Sequence, residues 1–368
     1  MFNALRVRRI FCELRTSNVP GGRVAKRNVP FAVSGHPTRR GVRVTCHART
    51  LVRHFRWSFR GTVTMRRYKL WLKAKLLQGR QRFVRAFRSY DQRQLLAALR
   101  EVGVGAGDSV MLHSAFNPSH GFRGSIEQLT DAFIEAIGPE GHLLMVSLPY
   151  RTATVDYLQT YRTFDVRKTP SMMGLVSELF RRRPDVVRSL HPTHPVLVRG
   201  PRAEWFVEAH PECLYPCGPG SPFDRLAAAD GKAVFFNVPV ETYTFFHYLE
   251  HLVSGSLPFS LYTSTAFHLP VVDRSGQTRQ METHAFAREA IKRRRFSILE
   301  STLRARGLIR QCRVGATRIE ALRVRDSVAC VLEMAAQGKY FYDLSAGPTG
   351  LEEHGPPATK DMEPASTP

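Results

Sequence analysis

The sequence predicts an α/β protein: a three-layer sandwich in which a central, largely buried mixed sheet is flanked by helices. Apolar runs of strand length, such as residues 143–148 and 233–238, alternate with segments whose apolar residues recur at helical spacing. Those strand-length runs are short and almost continuously apolar. Such strands are typical of a sheet that helices cover on both faces.

The predicted elements follow one another from about residue 91. A helix is predicted over residues 91–102, where Leu95, Leu96 and Leu99 lie at helical spacing before a glycine-containing turn. A second helix is predicted over residues 125–137, because Ser125 and Gln128 form a capping-box pattern. The other predicted strands are 110–112, 142–148, 196–198, 232–238 and 266–272, and the other predicted helices are 172–182, 203–209, 223–229, 242–254, and segments near 283–306 and 317–337.

The net charge of +23 is concentrated in the N-terminal quarter of the chain. Residues 1–64 hold 14 Lys and Arg against one acid, and residues 65–90 hold nine against none. Residues 91–368 hold 31 basic and 30 acidic residues, so the body of the protein is nearly neutral. The basicity belongs to an appendage, and we expect no specific nucleic-acid partner for the body.

Composition divides the chain into four segments. Residues 1–64 are expected to be disordered, or to be upstream sequence translated from a misassigned start codon before Met65. Residues 65–90 are a basic helical lead-in, for which an anionic membrane surface, nucleic acid and plain solvation all stay open. Residues 91–345 are the folded domain, and residues 346–368, rich in Pro, Gly, Ser and Thr, are expected to be disordered. No apolar run approaches the roughly 20 residues of a membrane span.

Two histidines, His191 and His194, each precede a proline and lead into the apolar run 196–198. Because proline pushes the residue before it towards an extended backbone, we expect both histidines on a loop beside a strand. Histidine accepts a proton near neutral pH, so the pair is suited to a reaction centre. Ordinary loop histidines are the alternative interpretation.

A second group consists of Thr244, His247 and Glu250, which share one face of a predicted helix. From such a position Glu250 can orient an imidazole, as carboxylates beside catalytic histidines do. A partly exposed amphipathic helix is the alternative. The motifs GxSxG, GxxxxGK[ST] and HExxH are absent, which leaves a histidine base with a carboxylate partner. A metal site built from His191, His194, His247 and Glu250 is kept as a further alternative.

The six cysteines contain no CxxC pair. Free thiols in a reducing compartment are therefore favoured, and we predict a cytoplasmic protein without a structural metal.

Seven short elements, in order over about residues 92–343, resemble the aminoglycoside 3-N-acetyltransferase family, whose members transfer acetyl from acetyl-CoA to an amino group of an aminocyclitol antibiotic. Each element is short, but their order and spacing together are specific. The elements are 107–108 with 110–114, 138–141, 173–181, 188–194, 220–222 with Leu226, Thr244 with His247 and Glu250, and 313–316.

The resemblance implies that residues 91–345 are an acetyltransferase domain with acetyl-CoA as co-substrate and no metal. It implies that His191 is the base that takes the proton from the attacking amine, with Glu250 holding that imidazole. It further implies that the Thr244 hydroxyl, with backbone N–H groups, stabilises the oxyanion. The expected cofactor contacts are His113, Ser114, Arg188 and Ser189.

The expected acceptor is an amine-bearing small molecule, an aminoglycoside or a related amino sugar. The sequence departs from the family pattern at Ala115, His142 and Pro195, which favours a diverged member. Two other functions stay open: an inactive family member acting as a binding protein tethered through its basic N-terminal segment, and a metal-dependent hydrolase using the same histidines.

Overall fold

The computed structural model describes residues 48–345, and the predictions for residues 1–47 and 346–368 lie outside the described residues. The division between the chain's two units falls after residue 66. The first helix, α1 (Ala48–Phe87), begins in the first unit and ends in the second, and it includes most of the predicted lead-in. No described helix is long and apolar enough to cross a membrane.

The second unit carries the remaining elements. Its helices are α2 (Gln92–Glu101), α3 (Ile126–Ile137), α4 (Thr154–Gln159), α5 (Leu175–Arg181), α6 (Ala203–Val207), α7 (Pro222–Ala228), α8 (Phe246–Val253), α9 (Arg288–Arg293), α10 (Phe296–Ala305) and α11 (Val324–Ala336). Its strands are β1 (Ser109–Ser114), β2 (His142–Val146), β3 (Phe164–Asp165), β4 (Val187–Arg188), β5 (Val196–Arg199), β6 (Lys232–Phe236), β7 (Phe267–Val272), β8 (Thr278–Thr283), β9 (Arg310–Val314) and β10 (Thr317–Arg323).

The main sheet has seven strands in the order β4-β5-β2-β1-β6-β10-β9. Strand β1 lies in the middle, parallel to β2 on one side and to β6 on the other. The next strands outward, β5 and β10, pair antiparallel with β2 and β6. The predicted mixed sheet is confirmed. A smaller sheet has the order β3-β7-β8.

Successive residues of β1 point into different hydrophobic cores. Met111 packs in the core that includes side chains of α6, α7, α8, α10 and α11. Val110 and Leu112 pack in the core that includes side chains of α2, α3 and α5. Because neighbouring residues of a strand face opposite sides of the sheet, the two cores lie on its two faces. The predicted three-layer arrangement is thereby confirmed.

Capping boxes lie at the starts of α2 and α3, and the one in α3 was predicted. In α3, the Ser125 hydroxyl accepts the N–H of Gln128 at 3.2 Å, and the Gln128 side chain accepts the N–H of Ser125 at 2.8 Å. Asp91 and Gln94 form the same reciprocal pair at the start of α2. These bonds satisfy donors that the first helical turn leaves free, so the local sequence defines both helix starts.

The helix predicted over 317–337 is wrong in its first part. Residues Thr317–Arg323 form β10, which lies inside the sheet between β6 and β9, and the helix begins at Val324. Glu320 is fully buried in this strand and bonds Arg304 at 2.8 Å. This acidic residue interrupts the apolar pattern by which a buried strand is recognised. The ion pair that accompanies its burial is a tertiary contact, which the sequence does not show.

The parallel strands β1, β2 and β6 bring their carboxyl ends to one edge of the sheet. Strand β1 ends there with His113 and Ser114. The segment that follows β6 leads through Thr244 into α8, which starts at Phe246 and not at residue 242. Functional groups of α/β sheets collect at this edge, so the fold draws the predicted residues of distant segments together.

Candidate active site

A cavity of about 170 Å³ lies at the carboxyl end of β1. Among the residues that line it are His113, Ser114 and Thr244, together with Met173 and Ser177. The structure thus brings two of the predicted cofactor contacts and one predicted catalytic residue into one cavity.

His113 is buried and stacks on the Phe235 ring, with 5.2 Å between the ring centroids. Burial lowers the pKa of its imidazole to about 3, so the ring is neutral at pH 7. Its Nε2 atom is buried without a hydrogen-bond partner among the described residues. An unpaired buried polar atom beside a cavity fits a site in which a bound molecule supplies the missing partner.

Helix α8 carries a carboxylate–imidazole pair, Glu250 and His247, one turn apart. The Nδ1 atom of His247 lies 2.7 Å from the Oε2 atom of Glu250. A carboxylate accepts hydrogen bonds and does not donate them, so Nδ1 carries the proton and Nε2 keeps its lone pair. The other oxygen of Glu250 accepts hydrogen bonds from Arg294 Nε, at 2.6 Å, and from the Tyr342 hydroxyl.

The charges around Glu250 determine its ionisation. Burial by itself raises the pKa of this fully buried carboxyl, but Arg294 and the hydrogen bond from His247 outweigh burial and lower the pKa. Burial likewise lowers the pKa of Arg294, and Glu250 outweighs it and raises that pKa. Both groups are therefore charged at neutral pH. The Glu250 carboxylate is available to stabilise a proton on His247.

Burial is the largest influence on His247 and lowers the pKa of its imidazole below 6.5, against the opposing effect of Glu250. The ring is therefore neutral at pH 7. The His247 side chain is 21% exposed, whereas the Glu250 side chain is 0% exposed. A neutral, partly exposed imidazole that a carboxylate holds, and whose second nitrogen makes no hydrogen bond within residues 48–345, has the properties of a general base.

His191 occupies a different environment. It is completely buried, and its Nδ1 atom accepts the N–H groups of Thr193 and His194, each at 3.2 Å. Its ring stacks on His210 with 4.5 Å between the centroids. Its Nε2 atom lies 3.4 Å from the Thr283 hydroxyl. Both ring nitrogens therefore face protein groups.

The predicted pairing of Glu250 with His191 is wrong. The hydrogen bonds of Glu250 within the described residues go to His247, Arg294 and Tyr342. The ring of His194 is near both histidines, with its centroid 6.4 Å from that of His191 and 5.7 Å from that of His247. Glu250 therefore bonds the histidine one turn away on its own helix, and not a histidine of the 188–194 loop.

Arg188 and Ser189 already have protein partners. The Arg188 guanidinium donates to the Ser147 carbonyl at 2.7 Å and to the Thr169 carbonyl at 2.5 Å. Burial lowers the pKa of Arg188 to about 9. The Ser189 hydroxyl lies 2.8 Å from His210 Nδ1 and accepts the N–H of Val196. These contacts differ from the expected cofactor contacts and hold the loop in place.

Sequence reasoning missed Arg294 and Tyr342, which hold Glu250. The spacing of His247 and Glu250 was a usable signal, because residues three apart on a helix are neighbours. Arg294 is one of three consecutive arginines, and only the fold distinguishes it from the other two. In the described part of the chain, no three or more His, Cys, Asp or Glu side chains group as a metal site.

The chain is similar to proteins of known activity. Residues 111–336 match the family model described as aminoglycoside 3-N-acetyltransferase. Aminoglycoside N(3)-acetyltransferase VII of Streptomyces paromomycinus is 28% identical over 258 residues, which cover 64% of this chain and 88% of the relative. Aminoglycoside N(3)-acetyltransferase VIII of Streptomyces fradiae is 31% identical over 172 residues, covering 43% of this chain and 59% of the relative.

Solved structures share the fold. The aminoglycoside acetyltransferase AAC(3)-Xa superposes with a TM-score of 0.59 at 23% identity, covering 71% of this chain and 96% of that one. A structure described as AAC-IIIb binary with CoASH gives 0.56 at 23% identity, covering 68% and 97%. The family-model match and the sequence relatives define the protein as an acetyltransferase enzyme. More narrowly, the chain belongs to the aminoglycoside 3-N-acetyltransferase family, whose co-substrate is acetyl-CoA.

Proposed function

We propose that this enzyme transfers the acetyl group of acetyl-CoA to an amino group of an aminoglycoside or a related amino sugar, with His247 as the general base. The observation that carries this assignment is the hydrogen bond of 2.7 Å between His247 Nδ1 and the buried carboxylate of Glu250. It leaves Nε2 as a lone-pair nitrogen on a partly exposed ring, which is what deprotonation of an attacking amine needs.

In the proposed reaction, His247 Nε2 takes the proton that the acceptor amine loses as it attacks the thioester carbonyl. The imidazole becomes positively charged, and the Glu250 carboxylate stabilises that charge through Nδ1–H. Collapse of the tetrahedral adduct then breaks its carbon–sulfur bond, and the proton on His247 Nε2 passes to the departing CoA thiolate, which leaves as the free thiol. Arg294 and Tyr342 keep the carboxylate ionised and fixed in orientation. Base catalysis of this kind contributes about 10²–10⁴-fold to rate.

The cavity at the end of β1 supports a role in holding the co-substrate. We assign His113, Ser114 and Thr244 to this task, because all three line the cavity and His113 Nε2 has no described partner. Thr244 also lies three residues before the base, and its hydroxyl is suited to stabilise the oxyanion together with backbone N–H groups. His191, Arg188 and Ser189 are assigned to structural support of the site.

The acceptor class is proposed from the relatives. Neighbouring structures are described as complexes with a gentamicin, with apramycin and with sisomicin. Those structures have 24%, 24% and 25% sequence identity to this chain, so the acceptor is proposed as a class and not as one compound. All three compounds are amine-bearing aminoglycosides, which fits an enzyme whose base deprotonates an amine.

The test is release of free CoA thiol from acetyl-CoA in the presence of a panel of aminoglycosides and amino sugars. His247→Gln is expected to lower kcat about 10²–10⁴-fold while acetyl-CoA still binds, because the base is lost and the cavity remains. His268→Gln is the matched control, since His268 is exposed on β7. A fully active His247→Gln variant would show that the base is assigned wrongly, and absence of turnover with every amine would contradict the proposed function.

The pH profile gives a second readout. The wild-type rate is expected to fall as pH drops through the pKa of His247, which lies below 6.5, because only the neutral ring accepts a proton. Since Glu250 raises that pKa, Glu250→Gln is expected to move the acid limb to lower pH and to lower the maximal rate. An acid limb that stays in place, or moves to higher pH, contradicts the role of Glu250 as the residue that positions the base.

A further inference from the structure

The C-terminal half of α1 has an exposed apolar stripe that the acetyl transfer does not use. From residue 68 to residue 88, all side chains except Val84 are exposed. The exposed ones include large apolar groups: Leu76 is 67% exposed and Phe87 is 75% exposed. Isolated exposed apolar residues are common, but a series of them along one helix marks an interaction surface.

Helical geometry places several of these side chains along one face of α1. With 3.6 residues per turn, five of them fall within an arc of about 100°. We call this set the apolar stripe; its members are Tyr68, Leu72, Leu76, Phe83 and Phe87. Leu70, Leu77 and Val84 recur every seven residues on a different face, and Val84 is the member of that face that packs against the domain.

Cations lie along both edges of the apolar stripe. On the same helical projection, Lys69, Lys73 and Arg80 fall along one edge, and Lys75 and Arg82 fall along the other. No Asp or Glu occurs between residues 65 and 90. An apolar face bordered by lysine and arginine, without acids, complements a surface that is both negatively charged and apolar beneath its charges.

The end of α1 is fixed on the domain, so the orientation of the apolar stripe is defined. Val84 is 4% exposed and Tyr90, just beyond the helix, is 1% exposed. The Arg88 carbonyl packs so closely on Gly121 and Gly315 that a Cβ atom at either glycine would lie 2.2 Å from it. The helix therefore leaves the domain with its Val84 face inward and the apolar stripe outward.

We propose that residues 68–87 dock on the surface of an anionic lipid bilayer, with the apolar stripe buried at the level of the headgroups. Burial of five apolar side chains needs an apolar phase, which a bilayer supplies and a nucleic-acid phosphate backbone does not. The flanking cations add attraction to anionic lipids. The enzyme is then a peripheral membrane protein, and no part of α1 is required to span the bilayer.

The test is flotation of the purified full-length enzyme with vesicles of phosphatidylcholine mixed with phosphatidylglycerol, and with vesicles of phosphatidylcholine alone. We expect binding to the anionic vesicles that weakens as salt is raised. Leu72→Ser with Leu76→Ser is expected to weaken binding by at least about tenfold, because the buried apolar area is lost. Leu70→Ser with Leu77→Ser is the matched control: it makes the same change on the same helix, outside the apolar stripe, and is expected to bind like the wild type.

Thiol-release activity in solution and thermal unfolding show whether the variants fold, and all four positions are exposed. The proposal is overturned if the wild type does not float with anionic vesicles. It is also overturned if both double variants bind equally, because binding then comes from charge elsewhere in the basic N-terminal segment. Binding of duplex DNA that exceeds vesicle binding and survives Leu72→Ser with Leu76→Ser would identify a nucleic-acid contact and likewise overturn it.

Discussion

The role of Arg188 is determined by its surroundings in the fold and not by its residue type. The family resemblance implied that Arg188 contacts the cofactor. In the structure, the guanidinium binds backbone carbonyls of two other segments, those of Ser147 and Thr169. The sequence does not show which carbonyls accept these hydrogen bonds, since every residue carries one.

Arg188→Met is expected to lower the free energy of unfolding by about 2–4 kcal/mol, because buried carbonyls lose their donors. The KM for acetyl-CoA is expected to stay near the wild-type value. Urea unfolding and steady-state kinetics measure the two effects. Arg182→Met is the control, because its side chain is 65% exposed and its ion pair with Glu178 contributes little. An unchanged stability with a raised KM would restore Arg188 to the cofactor site.

For His191 and His247, the sequence predicts that they are candidate site residues but not which groups they contact. Both stand in motifs that the family resemblance singled out, and the spacing of His247 and Glu250 predicted their shared helical face. The choice between the histidines depended on contacts made across the fold. The stack of His191 on His210 and the bonds of Arg294 and Tyr342 to Glu250 join residues that are far apart in the sequence.

At the scale of elements, the sequence predicted the strands β1, β2, β5 and β6 well because these are short apolar runs in the centre of the sheet. It missed β9 and misread β10 as helix. Strand β9 has the burial pattern of an edge strand, with Arg310, Gln311 and Arg313 exposed. Polar residues dominate such a strand, so its pairing with β10 determines its structure more than its own pattern does.

The β9–β10 turn offers a prediction about the end of α1. Gly315 has a φ of +57°, and a Cβ atom there would meet the Arg88 carbonyl at 2.2 Å and the Tyr90 ring at 2.6 Å. Gly276, in the β7–β8 turn, has a φ of +89° and no atom within 4 Å of an added Cβ. Both glycines need a left-handed backbone, and only Gly315 also needs the space.

Gly276→Ala is therefore expected to cost about 1 kcal/mol, the strain of alanine at positive φ. Gly315→Ala is expected to cost more by at least about 2 kcal/mol, because packing around Arg88 and Tyr90 must shift as well. Urea unfolding of both variants measures the difference. Equal costs would mean that the end of α1 does not depend on this contact.

At the scale of the whole molecule, buried histidines make stability depend on pH. His113, His191, His194 and His210 are all buried, and burial lowers the pKa of each below 6.5. For His113 and His210 the pKa in the folded protein is about 3. Below pH 6.5 the unfolded chain binds protons that the folded chain does not. The stabilisation is therefore complete above pH 6.5 and is lost as pH falls towards 3.

The free energy of unfolding is expected to fall by up to about 1.4 kcal/mol per pH unit for each histidine that is protonated only in the unfolded chain. Urea titrations on both sides of pH 6.5 measure this slope. His210→Gln is expected to make the slope shallower by about one proton, and His268→Gln, at an exposed position, is the control. A stability that stays constant from neutral pH down to the range where carboxylates titrate would contradict this expectation.

The contacts of Glu250 also have a consequence for biosynthesis. Its partners Arg294 and Tyr342 are made 44 and 92 residues after it. A ribosome-bound chain that has not yet reached residue 294 holds a carboxyl group destined for the interior without the cation that keeps it ionised. The support of Glu250 is thus completed only near the end of translation of the domain, and the proposed base is expected to be fully positioned only after Tyr342 has emerged from the ribosome.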